Sequence, residues 1–297
     1  MGRERPWRHG PPGPVTAFVL SGGGNQSVAQ VGMLRALLER GITPDVVVGT
    51  SAGALNGAAI ATSPNLEKLE QLEAVWVGLR GEDVFPGGLF TRAWNVLRRG
   101  DHLSSNEGLQ EVLKRAGTAV DFSGLAVPLR VVTTDLDTGD EILIVSGPVM
   151  PALLASAAIP GIFPAVELHG RRLVDGAVVN LVPISHALAG PIDRIVVLDV
   201  SNPLSNRTIR SPLDVAIRAF AISRDQRFEL ELQWVPRDVD LVILPAPVDD
   251  RELFDFSGGD ALIDEAYNLA VHTLDDYQTA VGGRARRRWW PRRRLAG

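Results

Sequence analysis

Along this chain, short β-branched runs take turns with stretches whose apolar residues recur at helical spacing. The runs lie at Val15–Leu20, Val46–Val48, Arg171–Val174, Arg194–Val200 and Val239–Leu244. Such alternation is the signature of βα units built around a mostly parallel sheet. Val28, Val31, Leu34, Leu37 and Leu38 predict a helix over 27–40, closed by Gly41. Further helices are expected at 52–61, from Pro64 to Leu79, near 213–232 and over 259–281. Ser105 reads as the cap of "NEGLQEVLKRAG", and "PVMPALLASAAIPG" as a short helix stopped by Pro160.

The segment "LRVVTTDLDTGDEILIVS" holds two alternating runs joined at Asp137, Thr138 and Gly139, which is the chemistry of a tight hairpin reversal. Residues 80–105 read as a connecting excursion. Its Phe85, Leu89, Phe90 and Trp94 are candidates either for an acyl channel or for ordinary core and lid packing. There is neither an internal repeat nor a linker long enough to divide the body. The expected organisation is a flexible amino-terminal tail over 1–14, one α/β domain over 15–283 and a basic tail over 284–297.

Composition narrows the chemistry. With 297 residues and 45% hydrophobic content the chain can bury a large core. The absence of cysteine removes disulfides, thiolate metal sites and cysteine nucleophiles. The longest apolar stretches, such as 149–162, are interrupted by proline and shorter than the about 20 residues a membrane-spanning helix needs. "MGRERPWRHGPPGP" has positive charge but no apolar run after it, so no export signal is read and a cytoplasmic protein is expected.

The net charge of −5 conceals an acidic body and a tail, Arg284 to Arg294, with seven arginines and no acid. Arginine beside Trp289 and Trp290 suits peripheral contact with an anionic membrane surface, the alternative being a solvated end. The acidic body argues against nucleic acid.

"GTSAG" places Ser51 between Gly49 and Gly53, after a strand and before a helix. A sharp strand-to-helix turn projects the serine hydroxyl, and glycine at both flanks removes the Cβ atoms that would collide. The helix start adds amide N–H groups and a positive dipole end.

"SGGGNQS", Ser21 to Ser27, is the second glycine turn. Ser27 stands where a dinucleotide motif needs its last glycine, and no Gly-Lys-Ser/Thr follows, so neither nucleotide reading holds. An oxyanion hole built from the amides of Gly22, Gly23 and Gly24 remains. In a parallel sheet this turn and Ser51 open at the same carboxyl edge.

The base is less plain. Of the five histidines, His186 and His272 follow the serine in the order that a histidine-dependent esterase would use, but neither sits in a marked turn. Asp175, in "RRLVDGAVVNLVP", ends a strand with glycine beside it; taken alone it is a turn aspartate.

Taken in order, "SGGGNQS", "GTSAG" and "DGA", with "ASAAIPGIFPAVELHG" ahead of the last, make residues 15–183 resemble the patatin-like phospholipases and acyl hydrolases. The resemblance implies a three-layer α/β sandwich with a mostly parallel central sheet, and lipid-ester hydrolysis by a serine–aspartate dyad without histidine. No cofactor or metal is implied. It assigns Ser51 as nucleophile, Asp175 as its base and Gly22, Gly23 and Gly24 as the oxyanion hole. The partner implied is a lipid or acyl-ester substrate. One departure stands out: the family commonly has Arg-Gly where this chain has Gln26-Ser27. That change and the tryptophan–arginine tail keep open a non-catalytic lipid- or partner-binding protein on the same frame.

Overall fold

The computed structural model describes residues 13–84, 104–201, 212–248, 251, 255–282 and 288–289. The strands are β1 (Thr16–Leu20), β2 (Val46–Thr50), β3 (Leu129–Asp135), β4 (Glu141–Ile144), β5 (Val166–Leu168), β6 (Arg171–Asp175), β7 (Arg194–Asp199), β8 (Asp240–Pro245) and β9 (Arg288–Trp289). They form one sheet in the order 5-6-3-2-1-7-8-9, with β4 paired to β3 beside this path. The β1–β2, β2–β3, β1–β7, β7–β8 and β8–β9 pairs are parallel. The β3–β4, β3–β6 and β5–β6 pairs are antiparallel, so the sheet is mixed but mostly parallel.

Described helices are α1 (Ala29–Glu39), α2 (Ala52–Thr62), α3 (Leu66–Gly78), α4 (Gly81–Val84), α5 (Glu107–Arg115), α6 (Val149–Ser156), α7 (Ile184–Ala187), α8 (Pro212–Trp234) and α9 (Gly259–Gly282). Strand alternation explains the layering. Phe18, Leu20, Val196 and Leu198 point into a core shared with α1, α2, α3, α5, α6 and α9. Ala17, Val19, Ile195 and Val197 point the other way, into a smaller core with α7 and the end of α8. Because both faces are covered, the central strands carry consecutive apolar residues in their middles, as buried parallel strands do, with polar residues at their ends.

Several boundaries differ from the expectation. The first helix opens as a 3₁₀ turn, Gly24–Val28, before the α-helix starts at Ala29. Asn106, not Ser105, occupies the N-cap of α5, and it makes no side-chain cap bond. α6 ends at Ser156, ahead of Pro160, so that proline does not stop it. β5 went unread because its three residues carry no pattern long enough to register. Within the expected basic tail, Arg288–Trp289 adds a short edge strand beside β8. The rest of that tail, residues 1–12 and Phe85 to Trp94 lie outside the described residues. No helix among the described residues is long and apolar enough to cross a membrane.

Two features of the sheet position the site. Leu20 is in register with Gly49, so the turns after β1 and β2 leave the sheet at one edge and one level. Thr50, the last residue of β2, lies level with Val132, yet β3 continues to Asp135. β6 then returns antiparallel, bringing Asp175 opposite Thr133 and back to the level of Ser51.

Candidate active site

The elbow is strained where it carries its side chain. Ser51 has φ 55° and ψ −132°, a left-handed conformation that non-glycine residues seldom adopt. Its backbone N–H donates to Ser156 Oγ at 2.8 Å, and Ser156 Oγ in turn donates to the Val132 carbonyl at 2.7 Å. Its carbonyl starts α2, accepting from the amides of Ala54 and Leu55. A Cβ at Gly53 would fall 2.3 Å from the Ser21 carbonyl oxygen and 2.4 Å from that of Leu20. One at Gly49 would meet the Ala54 backbone at 2.6 Å. The flanking glycines are therefore required by close backbone approach, Gly53 against the end of β1 and Gly49 against the first turn of α2.

Ser51 Oγ donates to Asp175 Oδ2 at 2.6 Å, across 124 residues of chain. Both residues are buried, at 6% and 3% exposure. Asp175 is held on all sides: Oδ1 accepts from the Ala177 N–H, its carbonyl accepts from Thr134 Oγ1, and its own N–H donates to the Ala158 carbonyl. Burial pushes its carboxyl pKa up to about 7, against the opposing hydrogen bonds from Ser51 and Ala177. The carboxylate thus has a proton affinity suited to taking a hydroxyl proton near neutrality.

The glycine turn lies beside it: a Cβ at Gly22 would sit 3.1 Å from Ser51 Cβ. Its three amides are not equivalent. Gly22 N–H donates to the Leu181 carbonyl at 3.1 Å, so of the three amides expected to line an oxyanion hole it is the one already engaged within the protein. Among the described residues the amides of Gly23, Gly24 and Ala52 donate to no protein acceptor. The turn is fixed from below by a buried chain of polar side chains. Trp76 Nε1 donates to Asn56 Oδ1, Asn56 to Gln30 Oε1, and Gln30 to the carbonyls of Ser21 and Leu198. Every amide group in this chain is satisfied, which is what makes such a network rigid.

Ser51 and Gly24 open onto an apolar cavity of about 80 Å³, between α2, α3, α5 and the segment after α6. Leu55, Leu72, Trp76, Leu109, Val112 and Phe163 are among its walls. The channel residues expected within 85–94 lie outside the described residues. The lining carries no contiguous sequence signal, because it is gathered from segments scattered between residues 24 and 256, most of which read as ordinary core.

Neither candidate histidine meets the pair. His186 Nε2 is 2.7 Å from Glu141 Oε1, and His272 is exposed on α9. Among the described residues no group of three or more histidines and carboxylates is arranged to hold a metal ion.

A buried hydroxyl–carboxylate pair thus stands at a strained elbow on the edge of a mostly parallel α/β sheet, beside an apolar cavity. The chain belongs to the patatin-like phospholipase family, whose model matches residues 18–188. It is 29% identical over 194 residues to an uncharacterised NTE family protein of Mycobacterium tuberculosis, covering 63% of this chain and 30% of that one. It is also 27% identical over 192 residues to patatin-like phospholipase domain-containing protein 7 of Rattus norvegicus, covering 64% and 14%. The chain thus spans under a third of either relative. A solved structure, human GIVD cytosolic phospholipase A2 in complex with methyl gamma-linolenyl fluorophosphonate, aligns at a TM-score of 0.45 and 13% identity over 90% of this chain and 58% of that one.

Proposed function

We propose that this protein is a serine acyl hydrolase that cleaves carboxylic esters of lipids, with Ser51 as nucleophile and Asp175 as its general base. The observation that carries this reading is the 2.6 Å hydrogen bond between Ser51 Oγ and Asp175 Oδ2 at the mouth of an apolar cavity. Asp175 accepts the Ser51 proton as Oγ attacks the ester carbonyl carbon, and the carbonyl oxygen becomes the tetrahedral oxyanion. The Gly23, Gly24 and Ala52 amides are the available donors to it; such donors are worth about 3–4 kcal/mol each in serine hydrolases. As the C–O bond breaks, the leaving alcohol takes the proton back from Asp175. Water then attacks the acyl-serine, again giving its proton to Asp175; the carboxylic acid leaves and the proton returns to Ser51.

A carboxylate is a weak base for a hydroxyl, so burial of Asp175 and the preorganised amides must act together. The apolar cavity supports a lipid acyl chain as the group transferred. Nothing bonded to the pair supports a histidine-dependent esterase. A fluorophosphonate probe with a long alkyl chain tests the reading. It should label Ser51 in wild-type protein and leave Ser51→Ala unlabelled; a folded wild type that resists the probe would favour the non-catalytic lipid-binding alternative. Peripheral attachment to anionic membrane through Arg284–Arg294 belongs to the same proposal, tested by comparing vesicle binding with and without that segment.

A further inference from the structure

On the opposite face of the sheet from the cavity lies a buried ionic cluster that the acyl-hydrolase mechanism does not use. Glu231, on α8, is completely buried. Its Oε1 accepts from Asn180 Nδ2 at 2.9 Å, from Ser185 Oγ at 3.1 Å and from Arg227 at 2.9 Å; its Oε2 accepts from the Ser185 N–H. Asn180, exposed by only 1%, also donates to Glu141 at 2.8 Å. Arg227 reaches Glu141 at 3.0 Å and His186 closes the cluster on the same carboxylate.

A carboxylate removed from water is costly unless such donors surround it, so its retention here calls for a local reason. The segment it grips supplies one. Residues 179–183 belong to no helix or strand. Yet two consecutive carbonyls of that segment hold the two catalytic turns: Asn180 O accepts from Thr50 Oγ1 at 3.0 Å, and Leu181 O accepts from the Gly22 N–H at 3.1 Å. Thr50 precedes the nucleophile, and Gly22 precedes the amides assigned to the oxyanion. The segment has no ladder of its own: its backbone is tied at its start, where the Val179 and Asn180 N–H groups donate to the Gly176 carbonyl, and beyond that Asn180 Nδ2 bridges Glu141 and Glu231.

We infer that Glu231 is a positioning residue: through Asn180 it fixes the 179–183 segment, and through that segment's carbonyls it sets the Ser51 elbow and the glycine turn relative to each other. This rests on the acyl-hydrolase reading. It goes beyond it by making α8, of which no described residue lines the cavity, a determinant of the rate. A positioning role predicts loss of turnover without loss of substrate affinity, because the cavity walls lie on the other face.

The test is steady-state hydrolysis of a chromogenic medium-chain acyl ester by the full chain and its Glu231→Gln, Asn180→Ala, Thr50→Val and Glu231→Gln/Thr50→Val variants. Glu231→Gln turns an amide donor against groups that are themselves donors. It should lower kcat by about ten- to a hundredfold, the range expected for an ångström-scale misplacement, with KM within about twofold. Thr50→Val should lower kcat less, and the double variant should be no slower than Glu231→Gln alone, since both cut one line of support.

Hydrogen exchange of the Gly22 amide, followed by NMR, should accelerate in Glu231→Gln and in Asn180→Ala. Full kcat in folded Glu231→Gln, losses that multiply in the double variant, or unchanged Gly22 exchange would each overturn the inference. If Glu231→Gln does not fold, Asn180→Ala and Thr50→Val decide it on the same criteria. A wild type no faster than Ser51→Ala would instead overturn the acyl-hydrolase reading; the Gly22 exchange measurement would still test the mechanical link.

Discussion

The two glycine turns at the carboxyl edge are neighbours in register, yet they solve opposite problems. The elbow after β2 exposes a side chain, so it accepts backbone strain at Ser51 and packs Gly49 and Gly53 against other backbone. The turn after β1 exposes main-chain amides, so its glycines clear side chains instead: Leu181 at Gly22 and Val200 at Gly23. Strain is tolerated where one atom must project, and bareness is needed where amides must be reached. The surroundings follow the same division. The elbow is held by separate lines from Ser156, Asp175 and, through Thr50, Asn180, whereas the glycine turn rests on one connected network running to Trp76.

The sharpest way to break this comparison is to remove the projecting atom. Ser51→Ala should cut ester hydrolysis about ten-thousandfold or more, measured as kcat/KM on a chromogenic acyl ester, while leaving the fold intact. Asp175→Asn should fall nearly as far, because the two groups act as a unit. It carries an opposite signature in stability.

The folded pKa of Asp175, about 7, stands above the ordinary carboxylate value, so the native state holds this proton more tightly than the unfolded chain does. That contribution is complete at pH below the unfolded value and is lost as pH rises through about 7. Asp175→Asn should therefore raise the melting temperature at pH 8, less at pH 5, and scarcely at pH 3. In the wild type kcat/KM should rise about tenfold per pH unit below about 7 and level off above it, as the base form appears.

Glycine replacements separate the two turns. Gly53→Ala sets a methyl 2.3 Å from a rigid backbone oxygen and should cost about 3 kcal/mol or more in denaturant unfolding. At Gly23 the nearest atom is Val200 Cγ2, at 2.5 Å, a side chain with somewhat more room to yield. Gly23→Ala should cost less stability and show itself chiefly in kcat. The smallest effect belongs to the cavity: Val112→Trp should lower the preference for a long-chain over a butyryl ester by about tenfold, without slowing the short one.

Much of the architecture could be read along the chain because the strands are short, β-branched and separated by helical periods. The eight-residue α6 and three-residue β5 were the weak points: segments of that length leave too few repeats for periodicity to set their ends. Within the candidate site, Ser51 and the glycine turn stand out in the sequence as local motifs whose geometry demands particular residues, whereas Asp175 is a turn aspartate by itself and is singled out only through the resemblance. Ser156, Asn56, Gln30, Asn180 and Glu231 were not. Each is a polar residue in a segment that reads as ordinary helix or loop, and it meets partners far along the chain, as distant as 168 residues for Gln30 and Leu198.

Local chemistry along the sequence determined which atoms are available: a hydroxyl on an elbow, a carboxylate before a glycine, bare amides at a helix start. Tertiary structure alone decided which of them meet. β3 overshoots its neighbour and β6 returns antiparallel, which brings residue 175 level with residue 51. The Leu181 carbonyl engages one of the three glycine amides, that of Gly22. Burial then gives the carboxylate its raised proton affinity. A pattern of residue types specifies donors and acceptors, but distance and dielectric are set only when segments far apart in the chain close around them.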